Sequence, residues 1–175
     1  ASRVWIVDPL DGTREYGERR DDWAVHVGLA IDGVAVVGAV ALPQHGAVLT
    51  TGAPVPRAPA NVPPIMLVSR TRPAAEAVFV AKAMGARLLP IGSAGAKAMA
   101  VVRGEADIYL HTGGQYEWDN CAPVAVAAAA GLHVSRVDGS PLAYNCENPY
   151  LPDLLICRQE MAAGVLRLAA AFVAD

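Results

Sequence analysis

Between residues 53 and 64 the chain carries five prolines: Pro54, Pro56, Pro59, Pro63 and Pro64. Proline fixes φ and donates no backbone hydrogen bond, so a run this dense excludes both helix and sheet interior. Regular structure must fall into a part before the run and a part after it. The two parts differ in texture. Before it, the apolar run Val4–Val7 enters the turn-forming Asp8-Pro9-Leu10-Asp11-Gly12-Thr13, and a charged stretch covers Arg14 to Asp22. Trp23–Ile31 and Val34–Leu42 then read as strands joined by Asp32-Gly33, a strong hairpin signal. Ala47–Thr51 adds a third candidate strand, and these neighbours are expected to be antiparallel. After the run, strands alternate with helices. The expected strands are Ile65–Ser69, Arg87–Ile91, Ala106–Leu110, Leu132–Arg136 and Leu154–Cys157. The expected helices are Ala74–Met84, Ser93–Arg103, Asn120–Ala130 and Glu160–Ala174, the first three closed by Gly85, Gly104 and Gly131.

With 175 residues, the chain is one domain or at most two small ones. Its 54% apolar and 18% charged residues exclude disorder as the dominant state. The net charge of −3 offers no basic surplus for a nucleic-acid backbone. The longest apolar stretches, Ala122–Gly131 and Met161–Ala174, are interrupted and shorter than a membrane span of ~20 residues. Neither nucleic acid nor membrane is therefore expected as a partner. Cys121, Cys146 and Cys157 are too few, and odd in number, for a disulfide framework, which points to a reducing, cytoplasmic setting.

Four constellations can carry chemistry. Asp8 and Asp11 sit three apart at the end of a buried strand, where a turn can aim both carboxylates and the Leu10 carbonyl at one point. Hard cations such as Mg²⁺ take oxygen ligands of this kind. Gly12 allows close backbone approach to a phosphate, and Thr13 supplies a hydroxyl to orient a water. The plainer alternative is an Asx turn. Asp119, within Trp118-Asp119-Asn120-Cys121-Ala122-Pro123, is either a helix N-cap or a third carboxylate of the same centre. Gly92-Ser93-Ala94-Gly95-Ala96-Lys97 opens a helix whose N-terminus can receive an anion. It lacks the Gly-Lys-Ser/Thr ending of a nucleoside-triphosphate loop, and Lys97 is otherwise an ordinary helix lysine. Ser69-Arg70-Thr71-Arg72 suits phosphate contact or simply fills a polar loop. His26, His45, His111 and His133 show no metal-ligand spacing, and His26 reads as a packed residue.

Trp5-Ile6-Val7-Asp8-Pro9-Leu10-Asp11-Gly12-Thr13 resembles the first signature of the inositol monophosphatase superfamily. Trp118-Asp119-x-x-Ala122, continuing to Ala129-Ala130-Gly131, resembles the second. Within that superfamily the segments at 69–72, 92–97 and 118–123 are similar to those of the 3′(2′),5′-bisphosphate nucleotidases, the bacterial CysQ-type enzymes above all. The resemblance implies an α/β (α+β) fold, a layered αβαβα sandwich. Residues 1–60 would form its antiparallel α+β half and 65–175 its α/β half, with the site between them. It implies Asp8, the Leu10 carbonyl, Asp11 and Asp119 as ligands of two or three Mg²⁺ ions. Gly12 and Thr13 would hold the scissile phosphate, and Ser69, Arg72, Ser93 and Lys97 would face the nucleotide.

The reaction implied is hydrolysis of 3′-phosphoadenosine 5′-phosphate to AMP and phosphate, with Li⁺ as an inhibitor. A small phosphate ester is the expected partner, and a homodimer is possible for the family. Relatives also use a glutamate from an upstream Gly-Glu-Glu-type segment, so the sequence reads as short of an N-terminal helical region. Three rivals stand beside this reading. One is an inositol 1-phosphate or fructose 1,6-bisphosphate phosphatase of the same superfamily. Another is a haloacid-dehalogenase-type aspartyl-phosphate enzyme, whose motif spaces its aspartates by two rather than three. The last is a non-catalytic phosphate- or nucleotide-binding protein.

Overall fold

The computed structural model describes residues 1–172. Before the proline run, strands β1 (Arg3–Asp11), β2 (Ala24–Ile31), β3 (Val34–Leu42) and β4 (Ala47–Thr50) form an antiparallel meander in chain order. The Asp32-Gly33 turn places both residues at positive φ, 49° and 82°, as a tight hairpin of this hand requires. A short helix α1 (Thr13–Gly17) lies within the charged stretch. After the run come β5 (Ile65–Ser69), α2 (Ala75–Met84), β6 (Arg87–Ile91), α3 (Ala94–Val102), β7 (Ile108–Tyr116), α4 (Glu117–Ala129), β8 (His133–Ser135), β9 (Tyr150–Cys157) and α5 (Gln159–Ala170). The second sheet has the order β6-β5-β7-β9-β8, with β5, β6 and β7 parallel and β9 antiparallel to both its neighbours.

Side-chain alternation assigns the layers. Ile65, Leu67, Tyr109, Leu154 and Ile156 face one way, into a core with α3, α4 and the inner residues Ile6, Ala24 and Val40 of the first sheet. Met66, Val68, Ile108, Leu110, Leu155 and Cys157 face the other way, against Ala77, Val80 and Val165 of α2 and α5. The order is thus sheet, α3/α4, sheet, α2/α5: a layered α/β sandwich as expected, four layers of it within the described residues. The outward face of the first sheet presents Trp5, Val7, Val27, Val37 and Val48, all exposed.

Helix α4 lies close on the first sheet because Gly28 and Gly38 pair across β2 and β3. A Cβ at Gly28 would stand 2.9 Å from the Ala122 nitrogen and the Cys121 sulfur; one at Gly38 would stand 2.5 Å from the Ala122 carbonyl oxygen.

Several boundaries differ from expectation. Helix α4 starts at Glu117, not Asn120, so Asp119 is its third residue rather than its cap. Pro123 lies in the helix interior, where proline forgoes a hydrogen bond to the Asp119 carbonyl. Strand β7 runs six residues past Leu110 because β9 pairs with it as far as Tyr116. Helix α5 ends at Ala170; residues 173 and 174 of the expected helix, like the end of the 65–175 half, lie outside the described residues.

The proline-rich connector is pinned rather than loose. Buried Asp107 accepts from the Ile65 nitrogen at 2.8 Å and the Asn61 nitrogen at 3.1 Å. Arg158 donates to Asp107 at 2.6 Å and to the carbonyls of Ala58 and Pro59.

Candidate active site

Strand β1 carries the first two carboxylates. On a regular strand, residues three apart point to opposite faces. Here the pairing to β2 shifts register: Asp8 lies opposite His26 and Asp11 opposite Ala24, three residues against two. The extra residue is a β-bulge, which re-aims the side chains beyond it. Both Asp8 and Asp11 are consequently buried on the inner face, 9% and 7% exposed. Asp119, in the first turn of α4, completes the group. One carboxylate oxygen from each of Asp8, Asp11 and Asp119 lies within 4.8 Å of the others.

Each carboxylate is held from behind. The Leu10 nitrogen donates to Asp8 at 3.0 Å, and the Tyr116 nitrogen donates to Asp119 at 2.7 Å. Asp11 receives the Ser93 hydroxyl at 2.5 Å, the Gly95 nitrogen at 2.6 Å and the Ala94 nitrogen at 3.2 Å. It therefore satisfies free N–H groups at the start of α3 while offering a lone pair to the cluster. Ser93, at φ 50°, caps the same helix by accepting from the Ala96 nitrogen. His26, fully buried, donates from Nδ1 to the Trp118 carbonyl at 3.0 Å and sets Nε2 3.3 Å from Asp11. It ties the strand that bears Asp11 to the helix that bears Asp119. Gly95 leaves room for its ring, which a Cβ there would overlap.

The electrostatics split the three acids. Burial pushes the Asp11 carboxyl up, but His26, Ser93 and Gly95 outweigh it and hold the group below its usual range. Burial raises Asp8, and the charge of Asp11 adds to the rise against the Leu10 N–H. Burial lifts Asp119 to about 6, with Asp11 and Asp8 contributing and the Tyr116 N–H opposing. The raised Asp8 and Asp119 carboxyls crowd the lowered Asp11 with too little positive charge nearby, and an all-oxygen donor set suits a hard divalent cation.

Asp11 and Asp119 of the cluster line a cleft of about 260 Å³. Gly12, Thr13, Ser69, Arg72, Ser93 and Lys97 all line it. Gly12 is in the left-handed region at φ 88°, and a Cβ there would stand 3.0 Å from the Ser93 Cβ and 3.2 Å from the Trp23 Cβ. The Ser69 hydroxyl accepts from the Arg72 nitrogen at 3.3 Å. The Lys97 ammonium is buried and donates back to the carbonyls of Ser93 at 2.7 Å, Gly92 at 3.3 Å and Ile91 at 3.4 Å. Burial pulls it down to about 8, against the pull of Asp11, Glu15 and Asp22. Arg70 turns away to Asp22 at 2.6 Å and Glu15 at 3.5 Å. Asp22 in turn accepts from the Gly92 nitrogen at 2.6 Å, so the pair braces the loop ahead of α3.

The chain matches the inositol monophosphatase family over residues 1–171. It belongs to that family. This family member is 52% identical over 180 residues to the 3′-phosphoadenosine 5′-phosphate phosphatase of Mycobacterium tuberculosis (strain CDC 1551 / Oshkosh), covering 95% of this chain and 66% of the relative. It is 31% identical over 160 residues to the 3′(2′),5′-bisphosphate nucleotidase CysQ of Escherichia coli (strain K12), covering 85% of this chain and 65% of the relative. The chain thus spans just under two thirds of the length of these relatives. Among solved structures, CysQ from Bacteroides thetaiotaomicron superposes with a TM-score of 0.75 at 25% identity, covering 90% of this chain and 70% of that one. The inositol monophosphatase of Anabaena (Nostoc) sp. PCC 7120 shares the fold, with a TM-score of 0.78 at 21% identity over 99% of this chain and 73% of that one. Among the described residues of this family member, no helix is long and apolar enough to cross a membrane.

Some side chains around the site carry no sequence signal that assigns them to it. Glu15 and Asp22 sit in a charged stretch that reads as solvated surface. Tyr109 and Gln115, both buried and both lining the cleft, lie in an ordinary strand. The apolar setting of His26 gives the one usable signal, a polar ring in a buried strand position.

Proposed function

We propose that the protein is a Mg²⁺-dependent phosphomonoesterase that removes the 3′-phosphate of 3′-phosphoadenosine 5′-phosphate, giving AMP and phosphate. The observation that carries the reading is the meeting of Asp8, Asp11 and Asp119, two of which, Asp11 and Asp119, line a polar cleft. The names borne by the mycobacterial relatives support the choice of substrate.

Asp8, Asp11, Asp119 and the Leu10 carbonyl would hold two or three Mg²⁺ ions. The chemistry such ions would supply there is positive charge for the phosphoryl group and a lowered pKa for a bound water. Gly12 and Thr13 hold the scissile phosphate through their backbone N–H groups, and the Thr13 hydroxyl orients the attacking water. Arg72 and Ser69 face the rest of the nucleotide. Lys97 and Ser93 act on that side too: the ammonium clamps the 91–93 carbonyls and adds positive charge to the cleft wall. The same reading includes inhibition by Li⁺ and a homodimer, which rest on resemblance to the family, and a cytoplasmic setting, which rests on the three cysteines.

The test is phosphate release from 3′-phosphoadenosine 5′-phosphate, inositol 1-phosphate and fructose 1,6-bisphosphate, with and without Mg²⁺. The expected result is the highest kcat/KM on the nucleotide, none without metal, and loss of turnover in Asp11→Asn. Metal-independent release, or Asp11→Asn activity equal to wild type, overturns the reading. A higher kcat/KM on either rival substrate overturns the substrate choice.

A further inference from the structure

Four buried polar side chains form one hydrogen-bonded chain that the proposed reaction leaves unused. The Tyr144 hydroxyl donates to Asn120 Oδ1 at 2.9 Å. Asn120 Nδ2 donates to Gln115 Oε1 at 2.9 Å. Gln115 Nε2 donates to the Tyr109 hydroxyl oxygen at 2.8 Å. Exposure along the chain is 3%, 0%, 7% and 1%.

Both amides can be turned over, so the chain admits two polarities. One ends in an unused Tyr109 O–H and the other in an unused Tyr144 O–H. The two ends lie in different surroundings. Tyr144 is packed into the large apolar core, where a hydroxyl proton without an acceptor is costly. Tyr109 and Gln115 line the cleft, where water or a ligand can accept. The polarity that frees the Tyr109 proton is therefore the stable one, and that proton meets no acceptor among the described residues.

The surroundings of Tyr109 specify the acceptor. The Lys97 ammonium stands 5.2 Å from the centre of its ring. Burial, followed by the charge of Asp11 and then of Asp119, raises the phenol far above its usual range, so it remains a neutral donor. A neutral donor in the cleft that Asp11 and Asp119 also line adds direction without adding charge.

We propose that the Tyr109 hydroxyl donates a hydrogen bond to an anionic oxygen of the phosphoryl group bound at Asp8, Asp11 and Asp119. This rests on the phosphatase reading and assigns it one more ligand-binding residue. Gln115, Asn120 and Tyr144 position that donor.

The test uses the full-length protein and calorimetric titration with inorganic phosphate in saturating Mg²⁺, comparing wild type with Tyr109→Phe. A parallel titration with Mn²⁺ and no phosphate reports on the carboxylate cluster alone. The expected result is phosphate Kd raised about 10- to 100-fold with Mn²⁺ Kd changed less than about threefold, the loss of one hydrogen bond to a charged group. Unchanged phosphate affinity overturns the proposal. So does an equal loss of phosphate and Mn²⁺ affinity, which would make Tyr109 part of the scaffold. Should Tyr109→Phe fail to fold, a crystal structure of the wild-type protein with Mg²⁺ and phosphate decides. A hydroxyl-to-phosphate distance of about 2.5–3.0 Å supports the proposal, and a hydroxyl directed elsewhere overturns it. Wild type that binds Mn²⁺ but no phosphate with Mg²⁺ overturns the phosphatase reading, and this inference with it.

Discussion

Asp119 holds its negative charge against its surroundings. Burial first, and then the charges of Asp11 and Asp8, raise its carboxyl to about 6 from an ordinary 3.8. A carboxyl whose pKa is raised on folding binds its proton more tightly in the folded state. Its contribution to stability is therefore full below about pH 3.8 and is lost as pH rises through about 6. In metal-free protein, Asp119→Asn should raise stability at pH 7 by about 1–2 kcal/mol, a figure discounted because the group is partly exposed. Asparagine keeps an oxygen for the Tyr116 N–H, so the helix start is preserved. The same variant should lose Mg²⁺-dependent turnover. Thermal unfolding with chelator present, paired with a phosphate-release assay, checks both. Metal binding competes with the same proton, so wild-type Mn²⁺ affinity should weaken as pH falls below about 6. At this scale the acids are legible from their spacing in two short motifs. Their supports are not: Ser93, Gly95 and His26 reach Asp11 from 82, 84 and 15 positions away, and only the fold brings them there.

Among the elements, the strands before the proline run are readable because alternation and an Asp-Gly turn leave little choice. The start of α4 misleads for a local reason. Asp119 resembles a cap, yet it reaches back from inside the helix to the Tyr116 N–H, which lets the helix begin three residues earlier. The β1 bulge is also invisible in the sequence, since the extra residue is defined only against the partner strand. The closest approach of α4 to the first sheet has a sharper test. Gly38→Ala places a methyl 2.5 Å from the Ala122 carbonyl oxygen, backbone that cannot move aside without shifting the helix. It should cost about 1–3 kcal/mol, the usual range for overpacking, measured by urea unfolding. Because α4 carries Asp119, Mn²⁺ affinity should fall with it.

Across the whole molecule, the proline run connects the two parts of the chain and is held in place by side chains of the second. Asp107 and Arg158, both buried, bind it to the second sheet through Asn61, Ile65, Ala58 and Pro59. Arg158→Leu would leave Asp107 buried without its counter-charge and should destabilise the fold by about 3–5 kcal/mol, read from denaturant midpoints. One apolar core takes residues from both sides of the run, a continuity that composition along the chain cannot reveal. The carboxylate cluster spans the same distance. His26 and Trp118, which bracket it, are 92 residues apart, and Asp11 and Gly95 are 84 apart. Long loops must close before these contacts form, which should bring the acids together late on the way to the native state. A divalent ion would then bind only after the slow step of folding is over. Added Mg²⁺ should therefore lengthen the lifetime of the native protein by slowing unfolding while leaving the refolding rate nearly unchanged, a chevron in which only one arm moves.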